Sequence, residues 1–392
     1  MKRFVYADNA ATTPVAPEVF EAMKPCFKEI YGNPSSVYSK GAEAAEIIKA
    51  SREKIANLLN CKSREIFFTA SGTEADNWAI KGSAKANIKK GKHIITTKFE
   101  HHAVLNTMKS LEKEGFEITY IDVDGDGLIT ADDVEKAVRP DTVLISVMYA
   151  NNEIGSILPV KKIADMAKKY NIITFTDAVQ AVGSISIDLS DLGVDMLAIS
   201  GHKIHAPKGI GVLYIKTGTR VLNLIDGGGQ ESGRRGGTEN TAYIAGFAKA
   251  LETAVEKLPD MDRVKSMRDR LIKGILKIPY TKINGGLEKR LPGNVNATFE
   301  YIEGESLLLW LDINGICVST GSACSSKSLE PSHVLLAIGI PAETAHSSLR
   351  FTLGHYNTDE DVDYILEKLP PIVEKLRAMS PVYENVIKGG HI

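Results

Sequence analysis

Between residues 66 and 200 the chain repeats a single pattern, and that pattern leaves few folds open. A short apolar run is followed by a turn and then by a segment of helix length. Ile66-Phe67-Phe68 leads into a glycine turn and a helical segment over 77–90 with Trp78, Ile80 and Ile88. The same switch of period recurs through 93–97, 103–113, 116–121, 142–148, 159–169, 171–176 and 195–200. Short apolar strands separated by helices specify a mainly parallel sheet covered on both faces. In such sheets ligands bind outside the carboxyl ends of the strands, so the polar residues that follow each strand are where chemistry is expected.

Beyond this stretch a long helical segment over 240–258 ends at Pro259, and the pattern becomes mixed. Strands are expected over 294–299 and 349–353, and helices over 304–311 and about 359–379. A chain of 392 residues exceeds the usual single-domain size, so a large α/β domain with a smaller α+β domain is expected, the boundary falling near 255–260. Lys and Arg total 47 against 49 Asp and Glu. The resulting charge of −2 gives no bulk attraction to nucleic acid or to an anionic membrane, so any bound anion must be held locally. Cys26, Cys61, Cys317 and Cys324 are scattered and form no CxxC pair, which speaks against a zinc ribbon or a disulfide framework and for free thiols in a reducing compartment. The opening MKRFVYADNAATTP has no signal-peptide h-region, and no run nears the roughly 18 apolar residues of a membrane span. A soluble, cytoplasmic protein is expected.

The segment from Asp122 through Asp124, Asp126, Gly127 and Ile129 to Asp133 follows the EF-hand loop spacing, with Asp in place of the final bidentate Glu. Its context is wrong for calcium, because 116–121 alternates like a strand where a helix should enter. An acidic turn between strand and helix is the simpler reading.

Four strand ends carry the chemistry. After 66–69 comes Ala70-Ser71-Gly72-Thr73-Glu74-Ala75, a small-residue turn opening a helix and aiming backbone N–H groups at an anion. After 93–97 comes Glu100-His101-His102-Ala103, whose imidazole can stack on a flat ring or transfer a proton. After 172–176 comes Asp177-Ala-Val-Gln180, a carboxylate that needs a cationic or hydrogen-bonding partner to stay charged in a buried setting. After 196–199 comes Ser200-Gly201-His202-Lys203, placing an amine at the same rim, where a lysine can act as nucleophile and base. Together these groups suit pyridoxal 5′-phosphate: a helix start for the phosphate, a ring to stack, an acid for the pyridine nitrogen and an amine for its aldehyde.

In this order they resemble the fold-type I pyridoxal-phosphate enzymes of the class V aminotransferase superfamily. ADNAATTP, GNPSS at 32–36, SGTEADN, EHHAV, NNEIG at 151–155, DAVQ, SGHKIHAPKGIG, GGGQESGRRGGTEN, STGSACSSKSLEPSHVL and SSLRFTLG narrow the likeness to the cysteine desulfurases of the NifS/IscS type. The likeness runs from about residue 5 to 378. Ala7, where a larger apolar residue is common, and the second histidine, His102, are the departures, and neither falls on an expected ligand.

The resemblance implies a cofactor-binding large domain over 13–257 and a small domain of 1–12 with 258–392 that carries the Cys324 loop and Arg350. It implies that Lys203 holds the cofactor covalently, Asp177 keeps its ring nitrogen protonated, Gln180 bonds its phenolate oxygen and His101 stacks on the ring. Gly72, Thr73, Ser200 and His202 would hold the phosphate, joined by Thr238, which in this family reaches across a dimer interface. Arg350 would clamp the substrate carboxylate bidentately, assisted by Asn33 and Asn152. Cys324, in a small polar segment without periodicity, would accept sulfur, whereas Cys317 in Ile316-Cys317-Val318 reads as a buried core residue and Cys26 and Cys61 as unreactive.

The implied activity is removal of sulfur from L-cysteine, giving L-alanine and a persulfide on Cys324, with Lys203 and His101 moving protons. The sulfur would pass to an iron–sulfur scaffold protein or a tRNA-thiolation partner. No resident metal is expected, Cys324 being at most a transient cluster ligand in a complex. Rival readings are selenocysteine lyase activity, plain transamination on the same scaffold, or a non-catalytic sulfur-scaffold protein.

Overall fold

The computed structural model describes residues 3–320 and 330–387. Strand β1 (Val5–Tyr6) is followed by the seven strands of the main sheet: β2 (Ile66–Thr69), β3 (His93–Thr97), β4 (Glu117–Ile121), β5 (Thr142–Ser146), β6 (Ile173–Asp177), β7 (Met196–Ser200) and β8 (Gly211–Ile215). Their order across the sheet is β2-β8-β7-β6-β5-β3-β4. All run parallel except β8, which is antiparallel to both of its neighbours. The expected mainly parallel sheet is therefore present, and β8 is the strand that the alternation did not foretell.

Apolar clusters lie on both faces of this sheet. Trp78, Ile80, Ile94, Val104, Met108 and Leu144 pack on one side, and Val19, Ile55, Phe68, Leu197, Ile199 and Phe247 belong to the other. At roughly 1.5–3 kcal/mol per fully buried large apolar side chain, these two layers dominate the stabilisation of the sheet. The Thr241–Glu256 helix packs against the Ser39–Leu58 helix, and the latter lies outside the stretch whose alternation was legible.

The remaining strands are β9 (Thr281–Ile283), β10 (Asn294–Phe299), β11 (Ile316–Cys317), β12 (Ser319–Thr320) and β13 (Ser348–Thr352). They form an antiparallel sheet in the order β12-β13-β10-β9, while β1 pairs in parallel with β11. An apolar cluster drawn from Val5, Ala7 and residues between 264 and 373 packs this sheet against the Met261–Ile275 and Asp359–Ala378 helices. The 334–345 stretch behaves differently: Val334, Leu335, Ile338 and Ile340 join the cluster of Ile95, Phe99 and Ile145 on the main sheet. Cys317 is a correction to the sequence reading, being half-buried. Its neighbour Ile316 takes the fully buried position, because side chains alternate along a strand.

The acidic 122–133 turn uses its carboxylates locally. Asp124 Oδ1 accepts the N–H groups of Asp126 and Leu128, and Asp133 closes a capping box with Thr130 at the start of the Ala131–Lys136 helix. Lys98 pairs with Asp122.

The glycine-rich 227–237 segment is tied down by charge. Glu231, with a left-handed φ of 48°, is buried and accepts both Nη atoms of Arg52 at 2.7 and 2.8 Å and the Phe68 N–H at 2.9 Å. Arg235 makes a two-point contact with Glu74. Glu231→Ala leaves Arg52 with only the Ile66 carbonyl and the Phe68 N–H without an acceptor, so a loss of about 3 kcal/mol is expected in urea unfolding of the purified chain. A change below about 0.5 kcal/mol would remove this pair from the list of structural supports.

Candidate active site

The carboxyl ends of β2, β3, β5, β6 and β7 open onto one cleft of about 330 Å³. Ten of the thirteen sequence-predicted site residues line it: Gly72, Thr73, His101, Asn152, Asp177, Gln180, Ser200, His202, Lys203 and Arg350. Asn33 and Thr238 are exposed and stand apart from it in this chain. Asn33 accepts the Ser35 N–H, and Thr238 lines a separate groove beside Glu231 and Arg235. Cys324 lies outside the described residues.

Each group is held by local chemistry. At the end of β2, Ser71 caps the Gly72–Ala86 helix by accepting the Glu74 N–H at 3.1 Å. The N–H groups of the first helical turn have no acceptor within the helix, so this end favours an anion. A Cβ on Gly72 would stand 3.0 Å from Val179 Cγ2 and 3.2 Å from Ser200 Cβ. Glycine is what allows the helix start to approach the ends of β6 and β7 this closely.

Beyond β3, His101 is the N-cap of the His102–Lys113 helix, its Nδ1 accepting the Ala103 N–H at 3.2 Å. Burial, reinforced by the charge of Lys203, lowers its pKa to about 4. The ring is therefore neutral near pH 7, and because Nδ1 accepts, the hydrogen is assigned to Nε2. Glu100, just before it, accepts from Thr97 Oγ1 at 2.7 Å and the Met148 N–H at 2.9 Å, and burial pushes it up to about 8. His333 Nε2 meets the Glu100 carbonyl at 2.9 Å, and Ser332 Oγ bonds the buried Glu153. These contacts fasten the 330–333 segment beside the cleft.

At the end of β6, Asp177 accepts the Val179 N–H at 2.9 Å, and burial raises its pKa against the opposing effects of that bond and of Lys203. After β7, Lys203 Nζ donates to the carbonyls of Ala10 and Ala11 at 2.5 and 2.7 Å. Gln180 Nε2 reaches the same Ala10 carbonyl at 3.1 Å, and His202 Nδ1 meets Thr12 Oγ1 at 3.0 Å. The Ala10 and Ala11 backbone thus forms one wall of the cleft.

Arg350 enters from the second sheet. It lies on β13 opposite Asn296 of β10, and Asn296 Nδ2 donates to the Glu153 carbonyl at 3.1 Å, joining that strand to the 151–155 turn. Its Nη1 donates to the Asn152 carbonyl at 3.0 Å and its Nη2 to Asp8 Oδ1 at 2.9 Å. The guanidinium side chain is 3% exposed, so it is not a surface ion pair.

Two carboxylates to which sequence reasoning assigned no role stand here: Asp76, which lines the cleft, and Asp8, which holds Arg350 from behind it. Asp8 needed the knowledge that residues 8 and 350 meet. Asp76 had a signal: three residues after Thr73 on a helix, it shares that residue's face. Asp76, His101 and Asp177 bring their ligand atoms within 4.8 Å of one another.

Residues 5–365 match the class V aminotransferase family model. Among curated proteins, the chain is 54% identical to the cysteine desulfurase IscS of Clostridium botulinum, covering 99% of both chains. It is 55% identical to the protein of that name from Methanosarcina thermophila, over 96% of this chain and 94% of the relative. Among solved structures, a NifS-like protein superposes with a TM-score of 0.90 at 41% identity, over 95% of this chain and all of the other. SspA, solved in complex with cysteine, matches with a TM-score of 0.80 at 38% identity, over 90% of this chain and all of the other. The family match, the relatives aligned along nearly the whole length and the shared fold agree with the strand-end residues gathered here: the chain belongs to the class V aminotransferase family, in its cysteine desulfurase branch.

Proposed function

We propose that this chain is a cysteine desulfurase that works with pyridoxal 5′-phosphate, taking sulfur from L-cysteine, releasing L-alanine and carrying the sulfur on Cys324. The observation that carries this reading is the convergence of the Lys203 amine, the buried Asp177 carboxylate and the Gly72–Ala86 helix start on one cleft with the Arg350 guanidinium. The residues present fit the cofactor. The helix start with Thr73, Ser200 and His202 suits its phosphate, Asp177 has an oxygen beyond the Val179 N–H bond to offer the ring nitrogen, and Gln180 and the neutral ring of His101 lie alongside. When bound, pyridoxal 5′-phosphate supplies an electron sink for the pair left at the substrate Cα once its proton departs.

The chain's own residues do the rest. Arg350 binds and orients the substrate carboxylate, with Asn152 beside it. Lys203 takes the Cα proton, and His101, with its hydrogen on Nε2, returns one. The Cys324 thiolate attacks the substrate sulfur. The Cβ–Sγ bond breaks, its carbon takes up a proton, and a new sulfur–sulfur bond is left on Cys324, so that L-cysteine and a thiol become L-alanine and a persulfide.

The same reading divides the chain into a cofactor-holding unit of 13–257 and a second unit of 1–12 with 258–392, supported by the apolar cluster that joins Val5 and Ala7 to residues 264–373. It makes the active form a homodimer in which Thr238 serves the neighbouring site. Exposed large apolar side chains at Phe20, Phe27, Tyr31, Val37, Leu222 and Leu224 support an interface. No helix among the described residues is long and apolar enough to cross a membrane, and a cytoplasmic enzyme delivering sulfur to an iron–sulfur scaffold or another acceptor is the setting we propose.

Mass spectrometry of the protein after exposure to L-cysteine tests the central step. One added sulfur is expected on the Cys324 peptide. Cys324→Ala is expected to keep the cofactor yet release no sulfide, and normal sulfide release from that variant would place the acceptor elsewhere.

A further inference from the structure

Asp76 has no task in the reaction described above, yet it stands in the middle of the machinery. It lies on the Gly72–Ala86 helix with 1% of its surface exposed and lines the cleft. Its Oδ1 has no hydrogen-bond partner among the described residues, and its carboxylate lies within 4.8 Å of the Asp177 carboxylate and a ring nitrogen of His101. The titratable groups around it are Asp177 at the end of β6, Glu100 and His101 after β3, and His202 and Lys203 after β7. Both imidazoles are neutral near pH 7, so the cations lining the cleft are Lys203, whose charge acts on Asp177, and Arg350, which is paired with Asp8.

Asp76 and Asp177 are too close and too poorly solvated to ionise together, and the buried Glu100 adds its own repulsion. The support they receive decides which does. Asp177 accepts the Val179 N–H and feels the charge of Lys203. Glu100 accepts from Thr97 and Met148. Asp76 shows no such donor among the described residues, and burial together with the charges of Asp177 and Glu100 holds it well above the usual carboxylate range. Protons in a pair of this kind belong to the pair, and they settle on the member with less support.

We propose that Asp76 is a positioning residue for Asp177: it is the neutral acid of the pair and turns its proton toward Asp177, with at most one water between, leaving Asp177 as the single negative charge facing the cofactor's ring nitrogen. The proposal rests on the functional reading above and adds to it the residue that sets the charge of the nitrogen pocket. Asparagine at position 76 preserves a donor of the same shape but carries no titrating proton. Leucine preserves the bulk and removes the donor, so Asp177 protonates more readily and the ring nitrogen loses its counter-charge.

The experiment compares wild type, Asp76→Asn and Asp76→Leu in two ways: thermal unfolding of the cofactor-free protein from pH 5 to 9, and pyridoxal 5′-phosphate affinity by fluorescence titration at pH 6 and 8.5. A carboxyl group whose pKa is raised by folding stabilises fully below its unfolded value, near pH 4, and that contribution is lost as pH rises through the folded value. The cofactor-free wild type is therefore expected to lose stability as pH rises, and Asp76→Asn to follow a flatter curve. Asp76→Leu is expected to bind the cofactor about tenfold more weakly at pH 6, the deficit shrinking at pH 8.5, with Asp76→Asn restoring most of the affinity. Superimposable pH curves for wild type and Asp76→Asn, or wild-type affinity in Asp76→Leu, would overturn the proposal. If Asp76→Leu does not fold, the Asp76→Asn curve decides alone. Failure of the wild type to take up the cofactor would overturn the functional reading, while the cofactor-free curves would still support or overturn the assignment of the proton to Asp76.

Discussion

Exchanging Lys203 for arginine is expected to abolish sulfide release from L-cysteine and the visible absorbance of the covalently held cofactor, while the chain still folds. A guanidinium stays protonated at any working pH, so it can neither attack an aldehyde nor remove a Cα proton. It retains the charge near Asp177 and can still donate to the Ala10 and Ala11 carbonyls that Lys203 holds at 2.5 and 2.7 Å. The variant thus separates chemistry from electrostatics, and a fall in turnover on the order of 10³-fold or more follows from loss of both proton transfer and covalent catalysis. Lys203→Ala adds a second defect. The Ala11 carbonyl loses its donor, the Ala10 carbonyl keeps only Gln180, the wall they form loosens, and roughly 1–2 kcal/mol of stability goes with it. Equal activity in the arginine variant and wild type, with the protein still coloured, would sink the assignment of Lys203.

The strand ends were legible because a simple geometric rule connects them: parallel strands share one edge, so whatever follows each of them converges there. Gly72, His101, Asp177 and Lys203 are separated by 29, 76 and 26 positions in the chain, yet the rule needs only that each follow an apolar run. What the rule cannot reach is a contact brought in by another sheet. Asp8 and Arg350 are 342 positions apart and meet because β13 and β10 fold back against the 151–155 turn. Strand direction was equally hidden. Gly211–Ile215 is as buried as the two strands beside it, and nothing in five apolar residues says that the chain there runs the other way. The Ser39–Leu58 helix escaped for a different reason, since it buries small side chains such as Gly41, Ala44 and Ser51 along with Ile48 and Ile55, which blurs its apolar stripe. Cys317 shows the limit of reading burial from neighbours: between two buried residues on an alternating strand, the middle position faces the other way.

Arg350→Ala is expected to raise the KM for L-cysteine by about 10² or more and to destabilise the protein by about 3 kcal/mol, two effects with separate origins. The stability loss comes from Asp8, whose Oδ1 would lose its cation and keep only the Ser319 hydroxyl on Oδ2. The KM effect comes from the substrate, whose carboxylate would lose charge-assisted bonds worth about 1.5–3 kcal/mol each. The guanidinium has capacity for both partners, because its buried Nε has no partner among the described residues while Nη1 and Nη2 hold Asn152 and Asp8. Asp8→Asn separates the two roles. If Arg350 serves only as the mate of Asp8, this variant should lose stability and leave KM alone. If Arg350 clamps the substrate, withdrawing its competing carboxylate should lower KM by about threefold to tenfold even as stability falls, because a buried cation without a counter-charge gains more from an incoming carboxylate. Arg350→Lys should fall between, keeping the charge for Asp8 but losing the planar fork that grips two oxygens at once. Steady-state kinetics and urea unfolding on the same preparations read both quantities, and an Asp8→Asn protein that loses stability with KM unchanged would return Arg350 to a structural role.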